Sequence, residues 1–260
     1  MYYISTYPLG GKKLIEFADE LRHNGLDDVG FELFYDNIPF YGAKYYRHFL
    51  NGIKLGMHCP MEGCCLLAPK GSLDFEYTLD KHRACFELAQ NLDAKYVVIH
   101  TNSLAARTKD RITAQKELLP ERMAMTADIA KQFGLRIAVE NVGFGYNNSL
   151  VAELSDFIGL GQNRELDFLI DTGHAHANGW DLPMLISTLS SRIRGFHFHD
   201  NDGSEDSHMP IGSGNSEWKN IFEAIKRSAY SADRTIEYAA PYANEIISGI
   251  KLLKCRLENK

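Results

Sequence analysis

One segment decides how this chain folds: Leu166-Asp-Phe-Leu-Ile-Asp171-Thr-Gly-His174-Ala-His176-Ala-Asn-Gly-Trp180. Its apolar run, Phe168–Ile170, predicts a short buried strand, because brief apolar runs between polar residues are typical of strands covered on both faces. A carboxylate and two histidines follow directly. Such a strand would supply ligand side chains to a site as well as apolar side chains to the core. If the segment marks a functional site, other predicted strands should end in the same kinds of side chain.

Composition narrows the class of protein before any motif is used. The 260 residues are 45% hydrophobic and 24% charged, which is enough to bury a large core. No apolar run could span a bilayer, and the first residues lack the features of a signal peptide, so we expect a cytoplasmic protein without a membrane partner. Five scattered cysteines indicate free thiols. The net charge of −6 provides no global attraction for nucleic acid.

Short apolar runs alternate with longer amphipathic segments along the whole chain. The predicted strands are Tyr2–Ser5, Val29–Leu33, Lys54–His58, Lys95–His100, Arg136–Glu140, Phe168–Asp171, Ile193–His199 and Thr235–Tyr238. The predicted helices are Lys12–His23, Ala43–Leu50, Phe75–Leu92, Asp110–Phe133 interrupted by Pro120, Leu150–Ile158, Asp181–Leu189, Trp218–Ser228 and Ala243–Leu257. Helices are expected to begin at the acidic residues Asp74 and Asp181 and to end at Gly25, Gly134 and Gly159.

This alternation predicts an α/β protein with one domain over residues 1–260, a (β/α)₈ TIM barrel. Eight strand–helix units in about 250 residues are typical of that fold. An open doubly wound sheet is the alternative, but no GxGxxG motif follows the first strand.

Six successive predicted strands end in a metal-ligand or acid–base side chain. These residues are His58, His100, Glu140, Asp171, His197 and Glu237. Any one of them could be a hydrogen-bonded core residue, but six at the carboxyl end of a barrel are hard to explain in that way. Several carboxylates buried together also require protons or cations for neutralisation. A divalent metal site is therefore the economical explanation.

The predicted geometry sorts these ligands into sets. Glu140, Asp171, His197 and Glu237 should form one arc, and three carboxylates with one imidazole suit Mn²⁺, Mg²⁺ or Zn²⁺. His58 and His100 could hold a second ion if Glu140 bridged. A third set combines His174 with two residues of the loop after the seventh strand, Asp206 and His208. We therefore expect between one and three divalent ions.

At this point the motifs resemble those of the xylose-isomerase-like TIM-barrel superfamily. The resemblance is carried by Ala-Val-Glu140-Asn, Asp171-Thr-Gly-His174, His197-Phe-His-Asp200 and Asp206-Ser-His208-Met-Pro-Ile-Gly212-Ser-Gly214. That superfamily includes sugar and sugar-phosphate isomerases and epimerases, inosose dehydratases and nucleases of the endonuclease IV type. In the isomerase branch, the resemblance implies one metal on the arc, proton exchange by Glu140 and Glu237, and a substrate hydroxyl contacted by His174.

In the nuclease branch, the resemblance implies three zinc ions and a phosphodiesterase acting on abasic DNA. All the ligand positions of that branch are filled here, namely His58, His100, Glu140, Asp171, His174, His197, Asp206, His208 and Glu237. Against a nucleic-acid partner stand the acidic net charge and the loop Phe34–Tyr41, which has no Lys or Arg to contact phosphates. His199 also departs from an isomerase pattern, His-x-Lys-Asp, in which a lysine is expected.

The arc supports a specific chemistry for the isomerase alternative. A metal on the substrate carbonyl and a neighbouring hydroxyl would act as a Lewis acid and stabilise an enediolate, while two glutamates remove and return the proton. Aromatic residues near strand ends, Tyr7, Phe34, Phe144 and Trp180, would form the pocket walls. Gly212–Gly214 could bind a phosphate or form a plain turn. We therefore expect a metal-dependent isomerase or epimerase of a small sugar, sugar phosphate or related polyol. A binding barrel without catalysis is a third class, and the oligomeric state is left open.

Overall fold

Eight parallel strands pair in chain order and close into a barrel in the computed structural model, which describes residues 1–9, 11–38, 42–101, 109–143 and 150–258. Pairing between β1 and β8, through Tyr2↔Arg234 and Ile4↔Ile236, closes the sheet. That closure confirms the (β/α)₈ barrel and excludes the open sheet. The strands are β1 Tyr2–Ser5, β2 Val29–Phe34, β3 Leu55–His58, β4 Val97–His100, β5 Ile137–Glu140, β6 Asp167–Asp171, β7 Ile193–Phe198 and β8 Asp233–Ile236.

Helices follow the strands. In the described part of the chain the α-helices are α1 Gly11–His23, α2 Gly42–Phe49, α3 Leu73–Asn91, α4 Lys109–Gln132, α5 Leu154–Leu160, α6 Thr172–Ala177, α7 Leu182–Leu189, α8 Trp218–Ser228 and α9 Ile246–Glu258. Short 3₁₀ turns occupy Tyr35–Asn37, Ser190–Arg192 and Ala240–Glu245. No helix among these residues is both long and apolar enough to cross a membrane. All five cysteines are free, as the sequence predicts.

Successive side chains along each strand alternate between the large core, which lies between strands and helices, and the interior of the barrel. In β5, Ile137 and Val139 belong to the large core between strands and helices, whereas Ala138 belongs to a small separate cluster. Glu140, two positions after Ala138, shares that inward direction. The small cluster, Tyr3, Tyr96, Val98, Ala138 and Leu169, fills the barrel interior below the site. Each ligand at a strand end therefore points inward because its apolar neighbours point outward.

Some helix limits follow the expected capping residues. Asp181 caps α7 by accepting the N–H of Met184 at 2.9 Å. Gly25 and Gly134 follow α1 and α4 with φ of 67° and 71°, a backbone conformation that glycine adopts without a Cβ clash.

Other limits differ from the expectation. Ser72 caps α3, and Asp74 lies in its first turn. Gly159 lies inside α5, which begins four residues later than predicted, so it is not a stop. The helix α4 runs through Pro120 without a break. Propensity signals are weak beside the burial of an apolar face, and tertiary packing decides these helix ends.

Candidate metal centre

All nine predicted ligands converge at the carboxyl end of the barrel. They form three groups, and in each group the ligand atoms lie within 4.8 Å of one another. The central group is Glu140, Asp171, His197 and Glu237; the second group is His58, His100 and Glu140; the third group is His174, His199, Asp206 and His208. The structure therefore brings together the arc and both additional sets, and it adds His199.

The central group is buried and densely charged. His197 Nδ1 lies 3.2 Å from both Glu140 Oε1 and Glu237 Oε2, and 3.8 Å from Asp171 Oδ2. Burial alone would lower the pKa of His197, but the charges of Glu237, Glu32 and Glu140 raise it well above its usual value. Burial alone would likewise raise the pKa of Glu140 and of Glu237, yet His197 holds both below their usual range. A proton on His197 thus supplies positive charge that a divalent cation could supply instead.

One buried atom tests whether a cation fits. Glu140 Oε2 accepts no hydrogen bond of acceptable geometry from the described residues, although His100 Nε2 lies 3.0 Å away and His58 Nε2 3.6 Å away. A buried carboxylate oxygen without a proper donor is costly unless a cation or a proton pairs with it. Since Glu140 belongs to both the central and the second group, its carboxylate could supply a ligand oxygen to an ion held by either group.

Backbone carbonyls orient three of the histidines. Nδ1 of His58 lies 3.1 Å from Cys59 O, Nδ1 of His174 lies 3.0 Å from Asn141 O, and Nδ1 of His208 lies 2.7 Å from Glu237 O. A carbonyl oxygen only accepts, so each Nδ1 carries the hydrogen and each Nε2 is directed at the ligand groups. This is the outer arrangement expected of metal-binding histidines.

Asp206 links the two histidines of the third group that lie beside the cavity. Its Oδ2 lies 3.0 Å from His174 Nε2, and its Oδ1 lies 3.3 Å from His208 Nε2. Burial alone would lower the pKa of both histidines, but Asp171 and Asp206 raise that of His174 to about 10, and Asp206 and Glu237 raise that of His208 to about 9. His208 also has a φ of 44°, which a residue with a Cβ seldom adopts.

Asp171 has several partners at the junction of β6 and α6. Its Oδ1 accepts the N–H of His174 at 2.7 Å and so caps α6. Its backbone is paired with the side chain of Asn141 through both N–H and C=O. His199 Nε2 lies 2.9 Å from the same carboxylate. The Asp-Thr-Gly-His segment therefore places Asp171 and His174 together because one turn of helix joins them.

A buried carboxylate organises the loop after β7. Asp200 accepts hydrogen bonds from Gly212 N, Gly214 N, Ser216 Oγ and Trp218 Nε1 at 2.7 to 3.1 Å. Burial alone would raise the pKa of Asp200, but these donors lower it. The N–H groups of Gly212 and Gly214 are therefore already occupied by a side chain of this protein. They form an anchored turn rather than a phosphate cradle.

We expect Asp200→Asn to lower the melting temperature by about 5–10 °C, since an amide NH₂ cannot accept several of these bonds and each bond to a charged group contributes roughly 1.5–3 kcal/mol. The loop also carries His208, so metal binding by the third group should weaken. Differential scanning calorimetry checks the first effect. Asp202→Asn is the matched control, because Asp202 is exposed and, within the described residues, its carboxylate accepts hydrogen bonds only from the nearby Ser204. Equal melting temperatures for both variants would contradict the anchoring role.

A cavity of about 160 Å³ opens onto the three groups. It is lined by Tyr7, Phe34, His58, Met61, His100, Glu140, His174, Asp206, His208 and Glu237. Tyr7 and Phe34 form one wall with ring centroids 5.2 Å apart, as expected of aromatic residues near strand ends. Asp171 and His197 are fully buried behind the lining.

Two other residues predicted to form the pocket walls are not found among the lining of the cavity in the described part of the chain. Trp180 does not line the cavity but belongs to the large core, where its indole N–H donates to Ala152 O at 2.7 Å and its ring packs on Phe157. Its sequence proximity to His174, which lies on α6, is therefore misleading. Phe144 lies outside the described residues.

Two residues of the site are not predicted as ligands or partners by the local sequence pattern. Glu32 is fully buried in β2 and lies 2.8 Å from His197. Its signal was a lone acid in the apolar run Val-Gly-Phe-Glu-Leu-Phe. His199 ends the seventh predicted strand and departs from an isomerase pattern, but it is not among the predicted ligands; it bonds to Asp171 and stacks on His208 with ring centroids 3.7 Å apart.

The model of the xylose isomerase-like TIM barrel matches residues 8–254 of this chain, and the chain belongs to that family. Among curated relatives, the uncharacterized protein MJ1614 of Methanocaldococcus jannaschii is 27% identical over 67% of this chain and 67% of its own length. Fructoselysine 3-epimerase of Shigella flexneri is 20% identical over 65% of this chain and 61% of that enzyme.

Solved structures agree with the fold. A D-tagatose 3-epimerase-like protein superposes with a TM-score of 0.84 at 19% identity, covering 99% of this chain and 97% of that one. The TTHB071 protein from Thermus thermophilus, soaked with ZnCl₂, gives 0.76 at 19% identity, covering 100% and 99%. At these identities the likeness establishes the shared barrel. The curated relatives are matched over only 56% to 67% of their own lengths.

Proposed function

We propose that this protein is a divalent-metal-dependent epimerase or isomerase of a small sugar or related polyol. One observation carries the proposal: of the four residues in the central group, Glu140 and Glu237 line the cavity, whereas Asp171 and His197 are buried behind it. Two carboxylates thus face the space that a substrate would fill. The names of two relatives, a fructoselysine 3-epimerase and a D-tagatose 3-epimerase-like protein, support the same class of reaction.

The residues present fit a divalent ion, with Glu140, Asp171, His197 and Glu237 as its holders. When bound, such an ion supplies Lewis-acid stabilisation of negative charge on the substrate oxygens. Glu140 on β5 and Glu237 after β8 approach the cavity from different strands, so one can remove a carbon-bound proton and the other can return one. Ser5 donates its hydroxyl hydrogen to Glu237 Oε1 at 2.8 Å, which fixes the orientation of that carboxylate.

The remaining lining residues suit a polyhydroxylated substrate. His174, Asp206 and His208 offer polar atoms for hydroxyl groups, and Tyr7 and Phe34 offer an apolar wall for the C–H face of a sugar. We expect an unphosphorylated sugar, because the Gly212–Gly214 N–H groups that could bind phosphate are bonded to Asp200.

The test is incubation with a panel of ketoses in deuterated buffer with added Mn²⁺, Mg²⁺ or Zn²⁺, followed by NMR. We expect solvent deuterium at one carbon of at least one ketose, and loss of that exchange after removal of the metal. Elemental analysis of the purified protein should find at least one divalent ion per chain. A protein that binds no divalent ion and exchanges no carbon-bound hydrogen in any ketose would refute the proposal.

A zinc phosphodiesterase acting on abasic DNA is the second candidate. It is favoured by the second and third groups, which offer ligands beyond those needed for one ion. Against it stand the net charge of −6 and the absence of Lys and Arg in the sequence Phe34–Tyr41, since a duplex binder needs several cationic contacts to phosphates. Incubation with a duplex containing an abasic site, at low salt with zinc, distinguishes the two. Efficient metal-dependent incision would favour the nuclease.

A further inference from the structure

Glu32 is a buried carboxylate in the middle of an apolar strand. Its neighbours Phe31 and Leu33 belong to the outer core, so Glu32 points into the barrel. The side chain is fully buried. Burying a carboxylate costs several kcal/mol, and a well-packed apolar residue of similar size often stabilises a protein as much or more. Packing alone therefore does not explain an acid at this position.

Both oxygens of Glu32 have defined partners. Oε1 lies 2.8 Å from His197 Nε2. Oε2 accepts hydrogen bonds from the Tyr96 hydroxyl at 2.7 Å and from the Thr235 hydroxyl at 3.3 Å. Burial and the charge of Glu32 raise the pKa of Tyr96 well above its usual value, so the phenol keeps its proton and donates it. Glu32 is thus held by two donors on one side while it contacts His197 with the other.

Glycines make room for this arrangement. A Cβ at Gly56, the residue paired with Glu32 in the sheet, would lie 2.8 Å from Tyr96 Cζ. A Cβ at Gly30 would lie 2.8 Å from the ring of Tyr3, which packs edge-on against Tyr96. Real Cβ atoms do not approach so closely, so the phenol reaches Glu32 only because these strands carry glycine.

His197 is oriented differently from the other histidines of the centre. His58, His174 and His208 place Nδ1 on backbone carbonyls and direct Nε2 at the ligand groups. His197 does the reverse: Nε2 contacts Glu32, and Nδ1 lies 3.2 Å from both Glu140 and Glu237. A neutral imidazole has one N–H and one lone pair, so an acceptor at Nε2 leaves the lone pair on Nδ1.

We propose that Glu32 is a positioning residue that fixes the Nε2–H tautomer and the ring orientation of His197, so that Nδ1 serves as the metal ligand. The inference rests on the metal centre of the proposed function. A carboxylate that accepts from the far nitrogen of a ligand histidine holds the ring and increases the basicity of the ligating atom. Here Glu32, on β2, contacts His197, on β7, across the interior of the barrel.

The experiment measures Zn²⁺ affinity by competition with a fluorescent chelator in three variants. Glu32→Met fills the volume without an acceptor and should weaken Zn²⁺ binding by about 10- to 100-fold, the usual cost of a lost outer partner. Glu32→Gln can offer His197 an acceptor oxygen but carries no negative charge, so it should lose less Zn²⁺ affinity than Glu32→Met does. Tyr96→Phe removes one of the two donors to Glu32 Oε2 but keeps Thr235 and the Oε1 contact with His197, so it is the matched control and should lose less Zn²⁺ affinity than Glu32→Met does.

A second measurement does not depend on the variants folding. Long-range ¹H–¹⁵N spectra of the Zn²⁺-loaded protein with labelled histidine should show His197 as the Nε2–H tautomer with Zn²⁺ at Nδ1. The opposite tautomer would overturn the inference, as would unchanged Zn²⁺ affinity in Glu32→Met. Equal losses in Glu32→Met and Glu32→Gln would assign the effect to charge and also overturn it. An unmodified protein without Zn²⁺ affinity would instead refute the proposed metal centre, and this inference with it.

Discussion

Replacing either cavity-facing glutamate, Glu140→Gln or Glu237→Gln, should lower turnover on the order of 10²-fold or more, the usual contribution of a general acid or base. A glutamine keeps an oxygen that can ligate a metal but cannot accept the substrate proton. Metal content should therefore be partly retained while the exchange of carbon-bound hydrogen is lost. The measurement is deuterium incorporation into an active ketose by NMR, with elemental analysis of the same samples.

His58→Ala is the control for this prediction. His58 lines the cavity and lies 3.6 Å from Glu140 Oε2, but it is not in the central group. We expect it to reduce exchange less than either glutamine variant does. Exchange that persists in both glutamine variants would refute the two-glutamate mechanism. Exchange abolished by His58→Ala would point to a multi-metal site, in which the second group takes part in the chemistry.

Much of the fold could be predicted from sequence because its signals are local. Each of the eight strands can be recognised within a few residues of its actual bounds, since a short apolar run carries that information alone. The ligands at the strand ends also follow from local pattern. Glu140 must point inward once Ile137 and Val139 face the helices. A parallel barrel then brings the ends of all its strands together.

The remaining features depend on contacts between distant parts of the chain. Glu32 and His197 are 165 positions apart, and nothing in β2 alone indicates that a histidine lies opposite. Gly212 and Gly214 have the composition of a phosphate-binding loop, but Asp200 accepts their N–H groups. Trp180 follows His174 closely in sequence and still lies in the core. Such outcomes require the paths of loops and the identity of partners, which periodicity does not encode.

The buried carboxylates of the central group need positive charge nearby, and this need couples metal binding to the stability of the fold. Glu32, Glu140, Asp171 and Glu237 are all buried around His197. Without an ion these carboxylates depend on protonated histidines for neutralisation, and a divalent ion that binds among them supplies the positive charge directly and lowers the cost of their burial. The metal centre should therefore stabilise the folded protein as well as serve the chemistry, because an ion that binds only the folded state raises its stability.

Asp171→Asn should weaken metal binding by more than the roughly 10- to 100-fold cost of a lost outer partner, because it removes the charge of a ligand itself. Its carbonyl oxygen can still accept the N–H of His174, so the cap of α6 is preserved and the variant should fold. Its NH₂ group, however, would face His199 or His197 in place of an anionic oxygen. Competition with a chelator for Mn²⁺ or Zn²⁺, and the melting temperature with and without metal, are the measurements.

Asp181→Asn is a matched control for Asp171→Asn, since Asp181 caps α7 through Met184 N in the same way but is not part of any ligand group among the described residues. Both variants should lose little from the cap itself, because Asn and Asp are nearly equivalent there. Only Asp171→Asn should abolish the rise in melting temperature on adding metal. Wild-type metal affinity in Asp171→Asn together with lost turnover would instead make Asp171 a participant in proton transfer, which contradicts a purely ligating role behind the two glutamates.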